Sequence, residues 1–299
     1  MSFAYTEHEQ KRVVLASLFG VHLDHIGYAD MAVIIVWAVV FGVQLLAVLF
    51  TLKNHRYRPI HNQQPLLMAL VYFTSVIWFV GDIATNNVIH LPTHLLQNCI
   101  FIVIWLRSSL GQTMALTLLL YRCIRLYFKY RLRRHFTPLV SAVFGSLLLA
   151  TNIVPPIIMT ILPTDQTVNY VPGLEICNFN PRFKDVVTVL TWLVFASLAL
   201  ACAVLFLSTK CTHNEHHQIL VAWLGMAMAN AFNTAVFYIK PRYPVSVAWR
   251  LCVVSMNQLS VLGAWWAIMG SAVYNCAFRY HVHLIEWRQA SKTVRHTHV

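Results

Sequence analysis

The chain contains seven predominantly apolar stretches, at approximately 31–52, 65–85, 99–121, 138–162, 186–208, 219–239 and 251–276. Each provides the roughly 20 residues that a helix needs to cross a hydrocarbon core about 30 Å thick, where backbone N–H and C=O groups must be satisfied within the segment. The reading is an all-α, integral membrane seven-helix bundle over 31–276, with a segment 1–30 before it and a short tail 277–299 after it. Composition agrees: 58% of the 299 residues are hydrophobic and 11% charged, too few charges to cover a soluble fold of this size. The net charge of +12 combines 22 basic with only 10 acidic residues, so it reflects missing acids as much as added bases, and no nucleic-acid partner is expected. Seven cysteines are too sparse for a disulfide scaffold.

Lys and Arg accumulate in cytoplasmic connections, and here they are unevenly placed. Of the 21 outside the spans, 14 lie after spans one, three, five and seven, and 7 on the other side. That bias predicts an extracellular N-terminus and a cytoplasmic C-terminus, with the plasma membrane as the expected location. The stretch 13–21 (VVLASLFGV) is too short for an eighth span, and the acidic opening MSFAYTEHEQ is unlike a cleaved signal peptide. No internal repeat or N-x-Ser/Thr sequon occurs.

The most informative segment is 99–134. Its basic cluster Arg122, Arg125, Lys129, Arg131, Arg133 and Arg134 begins where the apolar run stops, while Leu126, Tyr127, Phe128 and Tyr130 continue one apolar face. Such a cluster holds topology and binds anionic membrane lipid at about 1 kcal/mol per residue, or it docks a partner protein. Charged residues placed in hydrocarbon mark functional sites because an unpaired charge there is costly. Asp82 and Arg107 are the two such residues, and their depths nearly agree, which predicts either an ion pair between spans two and three or a ligand contact. Asn152, Asn230, Asn233, Asn257 and Gln258 read mainly as interhelical hydrogen-bonding groups. Asp82, Arg107, Trp105, Gln112 and Asn257 form the candidate lining of an outward-opening pocket for an unidentified small ligand. Pro155 and Pro156 predict a kink or an end in span four.

The spacing Cys99-x5-Trp105-x4-Leu110-Gly111, followed by Arg122 and then Leu126-Tyr127-Phe128, resembles the third helix of the plant and fungal seven-helix proteins that carry a regulator-of-G-protein-signalling domain. More loosely, the Arg-aromatic helix end is similar to metabotropic-glutamate-type (class C) receptors. Weaker points of likeness are Cys177, Asn214-Glu215 and Phe278-Arg279-Tyr280. The tail is too short for the regulator domain, so GTPase-accelerating activity is not carried over, and the extracellular ligand module of class C receptors has no counterpart. The resemblance implies a receptor that couples to a heterotrimeric G protein, with Arg122, Arg125, Lys129, Arg131 and Glu215 as candidate docking residues. It also implies a Cys99–Cys177 disulfide, which on chain-entropy grounds is worth roughly 4 kcal/mol at most.

Other classes find less support. A retinal sensor needs a lysine deep in span seven, and none is there. The histidine groups His22/His25, His90/His94, His213/His216/His217 and His281/His283 fall in connections and ends, so no metal site and no cofactor is expected, and no nucleophile triad or paired-carboxylate motif points to an enzyme. A small-solute transporter or channel is the main competitor, but the Pro155-Pro156 break has no match in the other half of the chain.

Overall fold

The computed structural model describes residues 7–18, 22–89, 98–132, 137–172, 174–208, 215–240, 243–282 and 285. Seven helices among them are long and apolar enough to cross a membrane: span one (Tyr28–Lys53), span two (Pro65–Thr85), span three (Ile100–Tyr130), span four (Pro138–Ile161), span five (Pro181–Ser208), span six (Glu215–Ile239) and span seven (Val247–Phe278). The chain is an all-α integral membrane bundle. Alternating connections define two ends, called here the disulfide end, which carries the N-terminal helix (Glu7–Leu18), and the basic end.

Spans two, three and seven form the interior. Trp265 is buried and donates its indole N–H to the carbonyl of Met68 (3.0 Å), and it belongs to a core that includes Leu116, Leu119, Phe195, Val254 and Ile268. Span four is the opposite case, with Leu139, Val143, Leu147, Val154, Ile158 and Ile161 all exposed. In a soluble protein such a belt would be untenable; facing lipid tails, it leaves no apolar surface in water.

Spans two and three approach most closely, and two glycines permit it. A Cβ on Gly81 would lie 2.6 Å from the backbone nitrogen of Arg107, and one on Gly111 would lie 2.7 Å from Cα of Trp78. Residues Ile100–Thr113 of span three are wound as a π-helix, with hydrogen bonds closing over five residues rather than four. Arg107 and Gln112, five apart, therefore stack on one side of span three. The sequence predicts a span here but contains no signal for this winding.

Pro155 and Pro156 do not end span four, which runs on to Ile161. Pro156 has no N–H for the carbonyl of Asn152, and the Ser109 hydroxyl of span three donates to that carbonyl instead (2.8 Å). Asn152 in turn donates to the Thr117 hydroxyl (2.7 Å), so the proline pair fastens span four to span three.

At the disulfide end, Cys99 and Cys177 are bridged, tying the top of span three to strand β2 (Ile176–Phe179), which pairs antiparallel with β1 (Val168–Val171). The N-terminal segment is also built into this end. Arg12 is buried, donating to the carbonyl of Leu174 (2.8 Å), to Asn87 Oδ1 (2.6 Å) and to the Glu9 carboxylate (3.1 Å). Arg250 at the start of span seven grips Asp30 with two hydrogen bonds (2.7 and 2.6 Å) and also donates to the carbonyls of Asp24 and His25. The described part of the segment before span one is thus held to the bundle by hydrogen bonds.

Candidate functional site

The polar residues of the spans gather in two places. The first surrounds Asp82 near the disulfide end. Gly81 brings span two against span three, so the neighbouring carboxylate meets Arg107, whose Nε donates to Oδ1 at 2.8 Å. Asn86 donates to the same oxygen (3.0 Å), and Asn257 donates to Oδ2 (2.6 Å). Three donors on one fully buried carboxylate offset much of its desolvation, and together they link spans two, three and seven. The network continues outward. Asn233 donates to Asn257 Oδ1, Gln112 donates to Asn230 Oδ1 (3.0 Å), and the Tyr243 hydroxyl donates to Asn86 Oδ1 (2.7 Å). Burial pushes the Tyr243 phenol above its ordinary pKa, although the Arg107 guanidinium pulls it the other way, so the group stays a neutral donor.

Beside this network is a cavity of about 100 Å³ bounded by spans three, five, six and seven and by β2. Of the five pocket residues predicted from the sequence, Arg107, Gln112 and Asn257 line it. Asp82 does not: it lies behind Arg107 and Asn257, with no exposed surface. Trp105 points to span four instead, where its indole N–H donates to the Thr160 hydroxyl (3.0 Å). Lys184 is a lining residue that the sequence reading missed. It sits at the start of span five with Nζ 4.2 Å from the centre of the Phe237 ring, donating to the Phe237 carbonyl (2.6 Å). The pattern offered no warning, since a lysine just outside an apolar run reads as an anchor.

The second cluster is at the basic end. Arg122 is fully buried, and its two terminal nitrogens donate to the backbone carbonyl and side-chain oxygen of Gln63, in the connection between spans one and two. Gln63 in turn donates from Nε2 to Oε1 of Gln218 on span six (3.2 Å). Gln63 is thereby a clasp between spans three and six. Glu215, also fully buried, starts span six close enough to interact electrostatically with Arg122, and neither carboxylate oxygen has a hydrogen-bond partner among the described residues. As parts of a docking surface, Arg122 and Glu215 therefore need correction: here they are interior, because Gln63 occupies the guanidinium.

The remaining candidates are closer to solvent. Lys129 and Arg131 are exposed and Arg125 is half-buried, with its guanidinium 5.9 Å from the Tyr121 ring centre. Lys129 donates to Asn62 Oδ1 (3.2 Å). Lys53, Arg56, Arg58 and Arg279 extend this exposed cationic face, and Glu215 is the one acidic residue at this end among the described residues. Arg133 and Arg134 lie outside the described residues, as do His90, His94 and His213. No three His, Cys, Asp or Glu side chains among the described residues are gathered to share a metal ion.

Comparison of the chain with protein-family models, curated proteins and solved structures gives no match.

Proposed function

We propose that the chain is a seven-helix receptor that binds a small ligand in the cavity at the disulfide end and signals to a heterotrimeric G protein at the basic end. In this reading the disulfide end faces outward, which the distribution of Lys and Arg supports, and the location is the plasma membrane. The observation that carries the reading is a shared set of helices: spans three and six wall the cavity at one end and are clasped through Gln63 at the other. A ligand that binds better when these helices are repositioned shifts the chain toward an unclasped state, by as much as its affinities for the two states differ. Unclasping frees Arg122 and Glu215 and adds them to the exposed face of Arg125, Lys129 and Arg131. The likeness of span three to the regulator-of-G-protein-signalling receptors supports the choice of partner, and anionic lipid is the other partner of that face.

The test is nucleotide exchange on a purified heterotrimeric G protein by the chain in proteoliposomes. The reading expects faster exchange than with empty liposomes, and charge reversal at half-buried Arg125 and exposed Lys129, Arg125→Glu with Lys129→Glu, is expected to slow it about tenfold or more. Thermal unfolding should change little, since charges that reach solvent contribute little to stability. Electrogenic solute flux with no effect on exchange would favour a transporter.

A further inference from the structure

We infer that the cavity at the disulfide end holds the head group of a single-chain amphiphile with an anionic head, a long-chain carboxylate being the simplest, admitted from the bilayer between spans four and five. The inference rests on the receptor reading in that it names the ligand class of the same cavity.

A second, larger space adjoins the cavity. A crevice of about 650 Å³ runs between spans four and five over span three, and Ile104, Ser108, Met159, Val187 and Thr191 wall both spaces, so the two lie side by side. Span four packs on span three but makes almost no contact with span five, which leaves the crevice facing lipid. Its hydroxyls offer little to a polar ligand. Ser109, Thr113, Thr117 and Thr151 all donate to backbone carbonyls, which leaves a largely aliphatic wall. Its volume falls within the roughly 300–1,000 Å³ of ordinary ligand sites, and an acyl chain is the occupant that the surrounding solvent supplies.

The cavity itself suits a small anionic group. At about 100 Å³ it has room for roughly three waters. Asp82 is ion-paired with Arg107, whereas Lys184 has no ion-pair partner within 4 Å among the described residues and is only partly compensated by the neighbouring Asp185 carboxylate, so the lining retains positive charge. Two further lining groups have no hydrogen-bond partner among the described residues: Nδ2 of Asn230, a donor, and Oδ1 of Asn233, an acceptor. On the water side, Phe179 meets Phe237 edge to face with ring centres 5.4 Å apart. Charge, spare hydrogen bonds and a lateral apolar extension define an amphiphile with its head at Lys184 and its chain against Val187, Thr191 and Pro155.

The test measures equilibrium binding of radiolabelled palmitate to the chain in nanodiscs of zwitterionic lipid, without G protein. Saturable binding is expected, with hexanoate (the same head on a short chain) weaker by about tenfold or more. Lys184→Gln should weaken palmitate about tenfold while leaving hexadecanol, which has a neutral head, within about twofold, and Lys184→Arg should restore palmitate. Thr191→Trp, which fills the crevice, should weaken both long-chain probes, and Val187→Phe replaces it if that variant does not fold. Val143→Trp, on the exposed face of span four outside the crevice, should change nothing. Palmitate binding indifferent to Lys184→Gln and to the filled crevice, or equal binding of hexanoate, overturns the proposal. Equal loss in Val143→Trp does so too, because it marks non-specific lipid contact. If palmitate binds as described but never alters nucleotide exchange, the receptor reading fails and the site stands; if palmitate does not bind while the chain still drives exchange, the reverse holds.

Discussion

Asp82→Asn is expected to destabilise the folded chain by about 3 kcal/mol, because it strands the largely buried guanidinium of Arg107 without its counter-charge. Arg107→Gln should cost a similar amount for the mirror reason, leaving a fully buried carboxylate with only Asn86 and Asn257 as donors. The decisive comparison is the double variant. If the two charges serve each other, Asp82→Asn with Arg107→Gln loses less than the sum of the single losses, by about 2 kcal/mol, and the reversed pair recovers part of the loss. Thermal unfolding in nanodiscs measures all four chains. Strictly additive losses would mean that the carboxylate and the guanidinium are held by separate partners.

The second large effect comes from glycine. Gly81→Leu is expected to cost about 3 kcal/mol, since even its Cβ would lie within 2.6 Å of backbone at Arg107, and backbone cannot swing aside as a side chain can. Gly111→Leu faces the same difficulty against the backbone of Trp78. Both should also widen the distance from Asp82 to Arg107. The control lies within the same molecule: Gly145 and Gly225 have nothing within 4 Å of a built Cβ, so alanine there should be neutral or stabilise by about 0.5–1 kcal/mol. Equal effects at all four positions would show that helix propensity, not close approach, governs these sites.

These two predictions separate what was readable in the sequence from what was not. Asp82 and Arg107 could be paired on paper because hydrocarbon leaves a charge few alternatives. The seven spans were readable for the same reason, and span two falls at 65–85 in both the sequence reading and the structure. The Cys99–Cys177 bridge followed from the family resemblance and is present. Gly81 and Gly111 gave no signal, because a glycine in an apolar run looks the same whether it faces lipid or a neighbouring helix. Rotation of each span about its axis was equally hidden: lipid and core are both apolar, so periodicity is faint, and Trp105 was assigned to the cavity although it faces span four. The π-winding of span three has no local signature in the sequence. Arg12, Arg250 and Lys184 enter the sequence reading only as charges that set orientation, and Arg122 as a docking residue, whereas in the structure they are gripped by carbonyls, amides and carboxylates.

The central claim is that spans three and six are held together at the basic end and part when the chain signals. Gln63 is the place to test it, because its side chain engages Arg122 and Gln218 together. Hydrogen bonds to a charged group contribute about 1.5–3 kcal/mol, so losing this one should shift a clasped-to-open equilibrium by about tenfold or more. The direct measurement is nucleotide exchange on a heterotrimeric G protein, driven by Gln63→Ala in nanodiscs with no ligand added. The account predicts exchange about tenfold faster than with the unmodified chain, with thermal stability lowered only slightly. Exchange that is unchanged or slower, in a variant that folds and keeps its Cys99–Cys177 bridge, would contradict it.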